Sequence, residues 1–237
     1  MRYAVLAIGL VLLASCTGEG AITANDVVGS IPWADQENAT YRVLDDDDQE
    51  VGTLELSIER DGDEYTLRQF FDFPDTEFTN EAEVVVDAAE LQPLGTHFRI
   101  DGPEGVVDCT AEYEGSDVDI HRVGEDGERD DTLDVPSVAY DSWSDLFVWR
   151  TITFSAGYKT EYADILSCVL ARPQRLEVTI EVINKDTIAV PAGTFETWRV
   201  EIDAGREQTA WFSDDEAHTL VKYDNGEQVF ELVAGGE

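Results

Sequence analysis

The stretch LVKYDNGEQVFELV, residues 220–233, contains the strongest local fold signal in this sequence. Two runs rich in apolar residues, 220–223 and 227–233, lie on either side of Asn225-Gly226. Asn and Gly accept the positive φ angles that a tight two-residue turn requires, and the dipeptide is therefore typical of a β-hairpin. The stretch predicts two antiparallel strands near the C-terminal end of the chain.

The same strand pattern continues upstream of this hairpin. Between Leu176 and Val182 apolar residues alternate with polar ones, which is the period of a strand with one buried face. Short turns such as Asp61-Gly62 separate the segments. This order predicts an all-β fold built as an antiparallel meander, not as a chain of β-α-β units. Further strands are predicted at 54–59, 64–71, 84–88, 94–100 and 106–113, at 118–123, within 158–169, and at 195–202 and 208–213.

Two segments interrupt the strand pattern. Residues 124–134 are so acidic and so poor in apolar residues that we expect a solvated loop. From 140 to 150 the residues Tyr140, Trp143 and Phe147 fall at helical spacing, which predicts one short helix. We expect the aromatic stripe of this helix to close one side of a curved sheet, and we expect no cofactor there.

The first residues of the chain have the layout of an export signal. Arg2 precedes an apolar run that is shorter than the ~20 residues of a membrane-spanning helix. The run ends in Leu13-Ala14-Ser15-Cys16, which resembles the processing box of bacterial lipoproteins, where the cysteine becomes the acylated N-terminus. We therefore expect a signal peptide at 1–15 and lipid attachment at Cys16. The alternative is an ordinary signal peptide with a chance cysteine.

These assignments set the predicted domain organisation and location. We expect a flexible tether at 16–40, because that segment is small, polar and without a period, and a single all-β domain at 41–237. The predicted lipid makes the membrane a partner and places the domain outside the cytoplasm. It would lie on the cell membrane or, if the cell has one, the outer membrane. Thr17, where an Asp would often mean inner-membrane retention, favours the outer one.

The charge balance of the chain is extreme, with 52 Asp and Glu against 15 Lys and Arg and a formal net charge of -37. Such a surface repels nucleic acid, and we expect no nucleic-acid partner. The acidic residues are spread along the whole length, which favours adaptation to high salt, where self-repulsion is screened. Calcium binding is the alternative. The acidic runs lack the ligand spacing of a calcium loop, so we assign no metal site.

The cysteines indicate an oxidising compartment. Once Cys16 is assigned to the lipid, Cys109 and Cys168 remain as a pair, and a disulfide between them is expected. Two buried free thiols are the alternative. Cys109 shares its face of an alternating run with Val107 and Ala111, so its side chain is expected to point inward in either case.

The C-terminal third contains a family likeness. It comprises VPAGTFETWRV at 190–200, QTAWFS at 208–213 and LVKY at 220–223. Together with LQPL at 91–94 and the segment 140–150, this pattern resembles the bacterial envelope family known as domain of unknown function 3108, over residues 41–232. The resemblance implies an antiparallel sheet that curls strongly into a half-barrel or barrel, similar to the lipoprotein carriers LolA and LolB. It implies no catalytic residues, because the family is uncharacterised.

The sequence contains no catalytic motif. His97, His121 and His218 lie in separate segments, and the usual metal, nucleophile and phosphate-binding motifs do not occur. Each histidine is expected to be solvated or hydrogen-bonded, and nothing singles out a pair of carboxylates. We therefore expect no enzymatic activity.

Two functions of different classes follow from these observations. In the first, the hollow of the curled sheet binds an apolar small molecule or lipid. In the second, the interior is filled and the protein is a structural or interaction module of the cell envelope. The aromatic residues expected to line the hollow or fill the core are Trp143, Phe147, Trp149, Trp198 and Trp211.

Overall fold

The structure is a computed structural model and describes residues 27–125, 127–169 and 172–235. Its fifteen strands belong to one sheet. The first eight are β1 (Gln36–Leu44), β2 (Glu50–Asp61), β3 (Glu64–Phe73), β4 (Phe78–Asp87), β5 (Pro93–Gly102), β6 (Gly105–Glu114), β7 (Asp117–Gly124) and β8 (Gly127–Asp134). The other seven are β9 (Ala139–Asp141), β10 (Lys159–Leu166), β11 (Gln174–Val190), β12 (Gly193–Asp203), β13 (Glu207–Ser213), β14 (Leu220–Asp224) and β15 (Val229–Gly235). The predicted all-β class is confirmed.

A short helical segment, residues 142–151, connects β9 to β10. Its centre is the α-helix α1 (Asp145–Val148), with 3₁₀ turns at Ser142–Ser144 and Trp149–Thr151 on either side. Another 3₁₀ turn, Pro74–Thr76, follows β3. The predicted helix at 140–150 is therefore shorter and later than expected, because β9 extends to Asp141.

Along the sheet the strands follow the order β8-β7-β6-β5-β4-β3-β2-β1-β15-β14-β13-β12-β11-β10-β9. Sequence neighbours are sheet neighbours almost throughout, and the predicted meander is confirmed. The exception is β8 and β9, which lie at opposite edges of the sheet. Strand β1 also pairs with β15 and brings the two ends of the domain together, and β9 and β10 form a parallel pair. Within the described residues β8 and β9 are the two edges of an open ladder. The predicted strong curl into a half-barrel or barrel is therefore not confirmed.

Strand β11 illustrates why the sequence forms this sheet. Val178, Ile180 and Val182 are completely buried, whereas Glu177 and Thr179, which alternate with them, are exposed. Burying an aliphatic side chain contributes about 1.5–3 kcal/mol, and a slip of one residue would expose the whole apolar row. The register of the strand is therefore set by its alternation.

The main hydrophobic core joins both halves of the ladder. Buried side chains from β1 to β4 and from β10 to β15 form one cluster with the helical segment. A smaller cluster surrounds a disulfide between Cys109 of β6 and Cys168, whose Cα atoms are 5.8 Å apart. Because Cys168 follows β10, the disulfide links segments near opposite ends of the ladder.

One predicted loop is a strand. Residues 124–134 were expected to be a solvated loop, but β8 pairs with β7 along its whole length. Alternate side chains of β8, those of Arg129, Asp131 and Leu133, are half-buried, and the others are exposed. The backbone hydrogen bonds to β7 outweigh the weak strand preference of Asp and Glu. As an edge strand β8 also gains from its charges, since they hinder pairing with another chain.

The folded domain begins earlier than residue 41. Strand β1 starts at Gln36, and Val27, Val28 and Trp33 are buried in the main core. The predicted tether at 16–40 is therefore too long, because apolar residues scattered in a polar stretch pack against the sheet. The predicted signal peptide, Cys16 and the beginning of the tether lie outside the described residues.

Candidate functional site

A buried ion pair fixes the C-terminal end of the helical segment. Arg150 Nη1 donates to Glu37 Oε1 at 2.7 Å, and the two side chains are only 5% and 9% exposed. The same guanidinium donates to the backbone carbonyls of Ala217 and His218, at 2.9 and 3.1 Å. Arg150 therefore joins the helical segment to β1 and to the loop between β13 and β14.

Asp141 fixes the other end of the helical segment. Its carboxylate is completely buried and accepts four hydrogen bonds. The donors are Thr96 Oγ1 at 2.8 Å, Tyr113 OH at 2.6 Å, Ser167 Oγ at 2.6 Å and Trp143 N at 3.0 Å. Burial raises the pKa of Asp141, and these hydrogen bonds oppose the rise because they stabilise the charged form. Asp141 thus ties β5, β6 and the end of β10 to the helical segment.

Between these two anchors lies a cavity of about 600 Å³, which we call the α1 cavity. It is bounded by the helical segment on one side and by the sheet on the other. Its apolar lining consists of Phe71, Trp143, Leu146, Trp149, Leu166, Val169, Leu176, Ala204, Tyr223 and Phe230. Its polar lining residues are Gln69, Ser142, Asp145, Asp164, Arg206, Gln208, Asn225 and Gln228.

Aromatic rings form a connected wall of the α1 cavity. The ring centroid of Phe71 lies 6.5 Å from that of Trp143 and 6.2 Å from that of Phe230. Tyr223 stacks on Phe230 at 5.4 Å and meets Trp149 edge-on at 5.7 Å. Offset and edge-on aromatic contacts are favourable in themselves, so this wall is preformed.

A short chain of hydrogen bonds lies behind the aromatic wall. Trp149 Nε1 donates to Tyr162 OH at 2.8 Å, and Tyr162 OH donates to Asp145 Oδ1 at 2.6 Å. All three residues are buried. These two hydrogen bonds connect Trp149, Tyr162 and Asp145 in series, so the position of the Asp145 carboxyl is fixed.

Asp164 lines the same cavity, but its carboxyl is less fully hydrogen-bonded than that of Asp145. Its residue is 3% exposed, and its Oδ1 atom accepts no hydrogen bond from the described part of the chain. Two further atoms of cavity residues, Trp143 Nε1 and Ser142 Oγ, are buried and also lack a partner among the described residues. Buried polar groups are normally hydrogen-bonded, so three unpartnered ones around a single cavity are unusual.

The two cavity carboxyls are held in a setting that disfavours charge. Burial raises the pKa of Asp164 well above its ordinary value, and the charges of Asp145 and Asp141 raise it further. Burial likewise raises the pKa of Asp145, although its hydrogen bond from Tyr162 opposes the rise. The α1 cavity therefore combines apolar walls with a floor of carboxyl groups that resist ionisation.

A protein-family model now identifies the chain. The model of the family described as protein of unknown function DUF3108 matches residues 33–233. The chain belongs to this family. The match confirms the resemblance seen in the C-terminal motifs. It begins at Trp33, a residue that is buried in the main core. No curated protein matches the chain.

Solved structures are similar to this DUF3108 domain at low sequence identity. A β-barrel-like protein of the DUF1849 family from Brucella abortus is 13% identical, with a TM-score of 0.52 over 84% of this chain and 96% of that chain. A DUF1089 family protein from Pseudomonas aeruginosa is also 13% identical, with a TM-score of 0.43 over 71% of this chain and 87% of that one. A candidate lipoprotein from Parabacteroides distasonis is 11% identical, with a TM-score of 0.33 over 87% and 97%. The first of these shows an all-β fold of the same type.

The five aromatic residues predicted to line a hollow or fill the core do not form one group. In the DUF3108 domain Trp143 and Trp149 line the α1 cavity. Phe147 is buried in the main core and does not line the cavity. Trp198 is half-buried and packs against the same core. Trp211 is half-buried on the opposite face of β13 from the core.

Sequence reasoning missed the residues that make the site polar. Asp164 stands between Tyr162 and Leu166 on one face of β10, so the signal was an acid in an otherwise apolar row of period two. Tyr223 and Phe230 were assigned to the C-terminal hairpin, and the register of that hairpin makes them direct partners. Their common position was therefore predictable, but the cavity beside them was not.

Three other features were candidates for a functional site: a second cavity, the surface histidines and groups of metal-ligating residues. A cavity of about 770 Å³ lies among the turns at the ends of β5 to β8, where its lining is rich in glycine and exposed charges. His97 contacts Asp108 at 3.2 Å and His121 contacts Asp130 at 2.8 Å, both on the surface, as expected for solvated histidines. Within the described ranges no group of three or more His, Cys, Asp or Glu residues could hold a metal ion.

The described part of the chain also contains no helix with the length and apolar composition that crossing a membrane requires.

Proposed function

We propose that this DUF3108 protein is a lipid-anchored, extracytoplasmic binding protein that holds an apolar small molecule or lipid in the α1 cavity. The observation that supports this most directly is the cavity itself. Its volume of about 600 Å³ falls within the range of about 300–1,000 Å³ that is typical of ligand sites. Its walls are mainly aromatic and aliphatic, which is the lining that apolar ligands require.

The way the cavity is held also supports binding. Arg150 and Asp141 fix the two ends of the helical segment, so the wall above the cavity is positioned independently of any ligand. A preformed site loses little conformational entropy on binding. The helical segment therefore serves as a rigid cover of the cavity.

Two features support the proposed location. The disulfide between Cys109 and Cys168 requires an oxidising compartment to form and persist. The N-terminal sequence ends its apolar run on Cys16, in the pattern of bacterial lipoprotein processing. An anchored binding domain outside the cytoplasm would meet envelope lipids and other apolar molecules directly.

The test is to purify the full chain from the membrane of its own cell and to identify bound molecules by native mass spectrometry and solvent extraction. We expect one apolar ligand in stoichiometric amount. In the Leu176→Trp variant the larger side chain fills the cavity, and the ligand should fall to background. Leu94→Trp is the matched control, because Leu94 is 41% exposed and lies outside the cavity, and it should retain the ligand.

Repeated recovery of empty protein would contradict the proposal. That result would favour the second function, a structural or interaction module of the envelope. Equal ligand content in Leu176→Trp and the parent protein would place the ligand elsewhere on the molecule.

A further inference from the structure

The α1 cavity contains carboxyl groups without a cation to pair with them. Asp145 and Asp164 both line it, and in the described ranges neither takes part in an ion pair. Arg206, which also lines the cavity, has its own partner, Glu227, at 2.7 Å. Since no donor among the described residues reaches Asp164 Oδ1, the burial of this atom costs free energy that these residues do not recover.

The aromatic walls beside these carboxyls can bind an organic cation as well as the apolar part of a ligand. Trp143, Trp149 and Tyr223 present aromatic rings to the cavity, and aromatic faces attract organic cations. Carboxyl groups together with several aromatic rings make up a common recognition site for ammonium groups. An apolar ligand alone would use the rings but would leave Asp164 unpaired.

We propose that the ligand of the α1 cavity is an amphiphile with a protonated amine, whose ammonium group donates hydrogen bonds to Asp164 while its apolar part lies against Leu176 and Phe230. This inference rests on the proposed function above and narrows it to one class of ligand.

Electrostatics favour this class over the others. An ammonium group that donates to the Asp164 carboxyl compensates its charge, and such charge-assisted bonds are about twice as strong as neutral ones. The whole-chain charge of -37 attracts cations toward the domain. An anionic head group would face Asp145 and Asp164 at short range, and a neutral alcohol would supply one hydrogen bond without compensating charge.

The test measures three ligands that share one alkyl chain: octylamine, 1-octanol and octanoate. Each is titrated by calorimetry into the full chain embedded in nanodiscs of zwitterionic lipid, with empty nanodiscs as the blank and with enough salt to screen surface charge. We expect octylamine to bind at least about tenfold more tightly than 1-octanol, the factor that a charge-assisted hydrogen bond supplies. Octanoate should bind most weakly.

Two variants locate the effect. Asp164→Asn should bring octylamine down to the affinity of 1-octanol and leave 1-octanol almost unchanged. Glu112→Gln removes the same charge from the exposed face of β6 and should leave all three affinities as they are. The ranking on the unmodified protein decides the question even if Asp164→Asn fails to fold.

The failure of the inference and the failure of the proposed function give different results. Equal binding of the amine and the alcohol, or tighter binding of octanoate, would overturn the amine while leaving an apolar site intact. No binding of any of the three would overturn both. Equal losses of octylamine affinity in Asp164→Asn and Glu112→Gln would reduce the effect to overall charge and also overturn the inference.

Discussion

The parallel pair β9 and β10 carries a buried aspartate on each of its two faces, Asp141 in β9 and Asp164 in β10, and the two differ in their surroundings. On one face the disulfide, Ile165 and Asp141 pack together, with Asp141 directly opposite Ile165 in the ladder. On the other face Asp164 points into the α1 cavity. Asp141 accepts four hydrogen bonds, whereas Oδ1 of Asp164 accepts none within the described residues. Both residues are buried, and they differ in the number of hydrogen-bond donors around the carboxyl.

Because of this difference, we expect Asp141 to stabilise the fold and Asp164 to contribute nothing to its stability. A buried carboxylate that is fully hydrogen-bonded fixes its neighbours, while an unpaired one is a net cost. A residue that violates a packing or hydrogen-bonding rule without stabilising the fold is expected at a functional site. The comparison therefore assigns Asp141 to stability and Asp164 to ligand recognition, and variants on each face should give opposite results.

The largest effect is expected from the disulfide on the Asp141 face. Replacing both Cys109 and Cys168 by Ala should lower the free energy of unfolding by about 4 kcal/mol, because the crosslink closes a loop with a sequence separation of 59. Urea unfolding measures the change. As a check on the bond itself, thiol labelling of the denatured, unreduced protein should modify neither cysteine. Labelling of either one would contradict the disulfide.

Removing Asp141 should have the next largest effect. Asp141→Ala leaves the hydroxyls of Thr96, Tyr113 and Ser167 without their buried acceptor, and we expect a loss of about 3 kcal/mol in the free energy of unfolding. Asp134→Ala is the matched control at an exposed position of β8 and should change it by less than about 0.5 kcal/mol. If both variants were equally stable, Asp141 would not be the anchor of the helical segment.

Much of the fold followed from the sequence because the strands are amphipathic. The alternation in β11 and the Asn225-Gly226 turn each express a local rule, and local rules can be read without the rest of the chain. The strand β8 could not be found in this way, because its pairing with β7 depends on a neighbour and not on its own composition. The position of Trp33 in the core was hidden for the same reason.

The site was less predictable than the fold. Trp143 and Trp149 were singled out from the sequence as candidates for a hollow or for the core, and both line the α1 cavity. Trp211 carries the same sequence signal but lies on the outer face of β13, since a period of two does not say which face is inward when both contain apolar residues. The unpaired state of Asp164 depends on what surrounds it in three dimensions, and no sequence pattern expresses that.

The smallest effect, and one of opposite sign, is expected for Asp164→Asn. Because burial and the charge of Asp145 raise the pKa of Asp164, ionisation of this carboxyl is disfavoured in the folded state. Below the unfolded pKa of about 3.9 the carboxyl is protonated in both states and has no effect on stability. Between the unfolded and the folded pKa the unfolded chain has released the proton while the folded carboxyl keeps it, so the free energy of unfolding falls as the pH rises, and it levels off above the folded pKa.

Asparagine does not titrate, so the variant escapes this loss. We expect its free energy of unfolding to equal that of the parent protein near the unfolded pKa and to exceed it by about 1 kcal/mol once the pH is above the folded pKa. Urea unfolding across this pH range measures the difference, with Asp134→Asn as the exposed control that should show no pH-dependent gain. A difference that does not change with pH would mean that Asp164 has a partner in the ligand-free protein. Asp164 would then resemble Asp141, and the contrast between the two faces of the β9 and β10 pair would no longer point to a ligand.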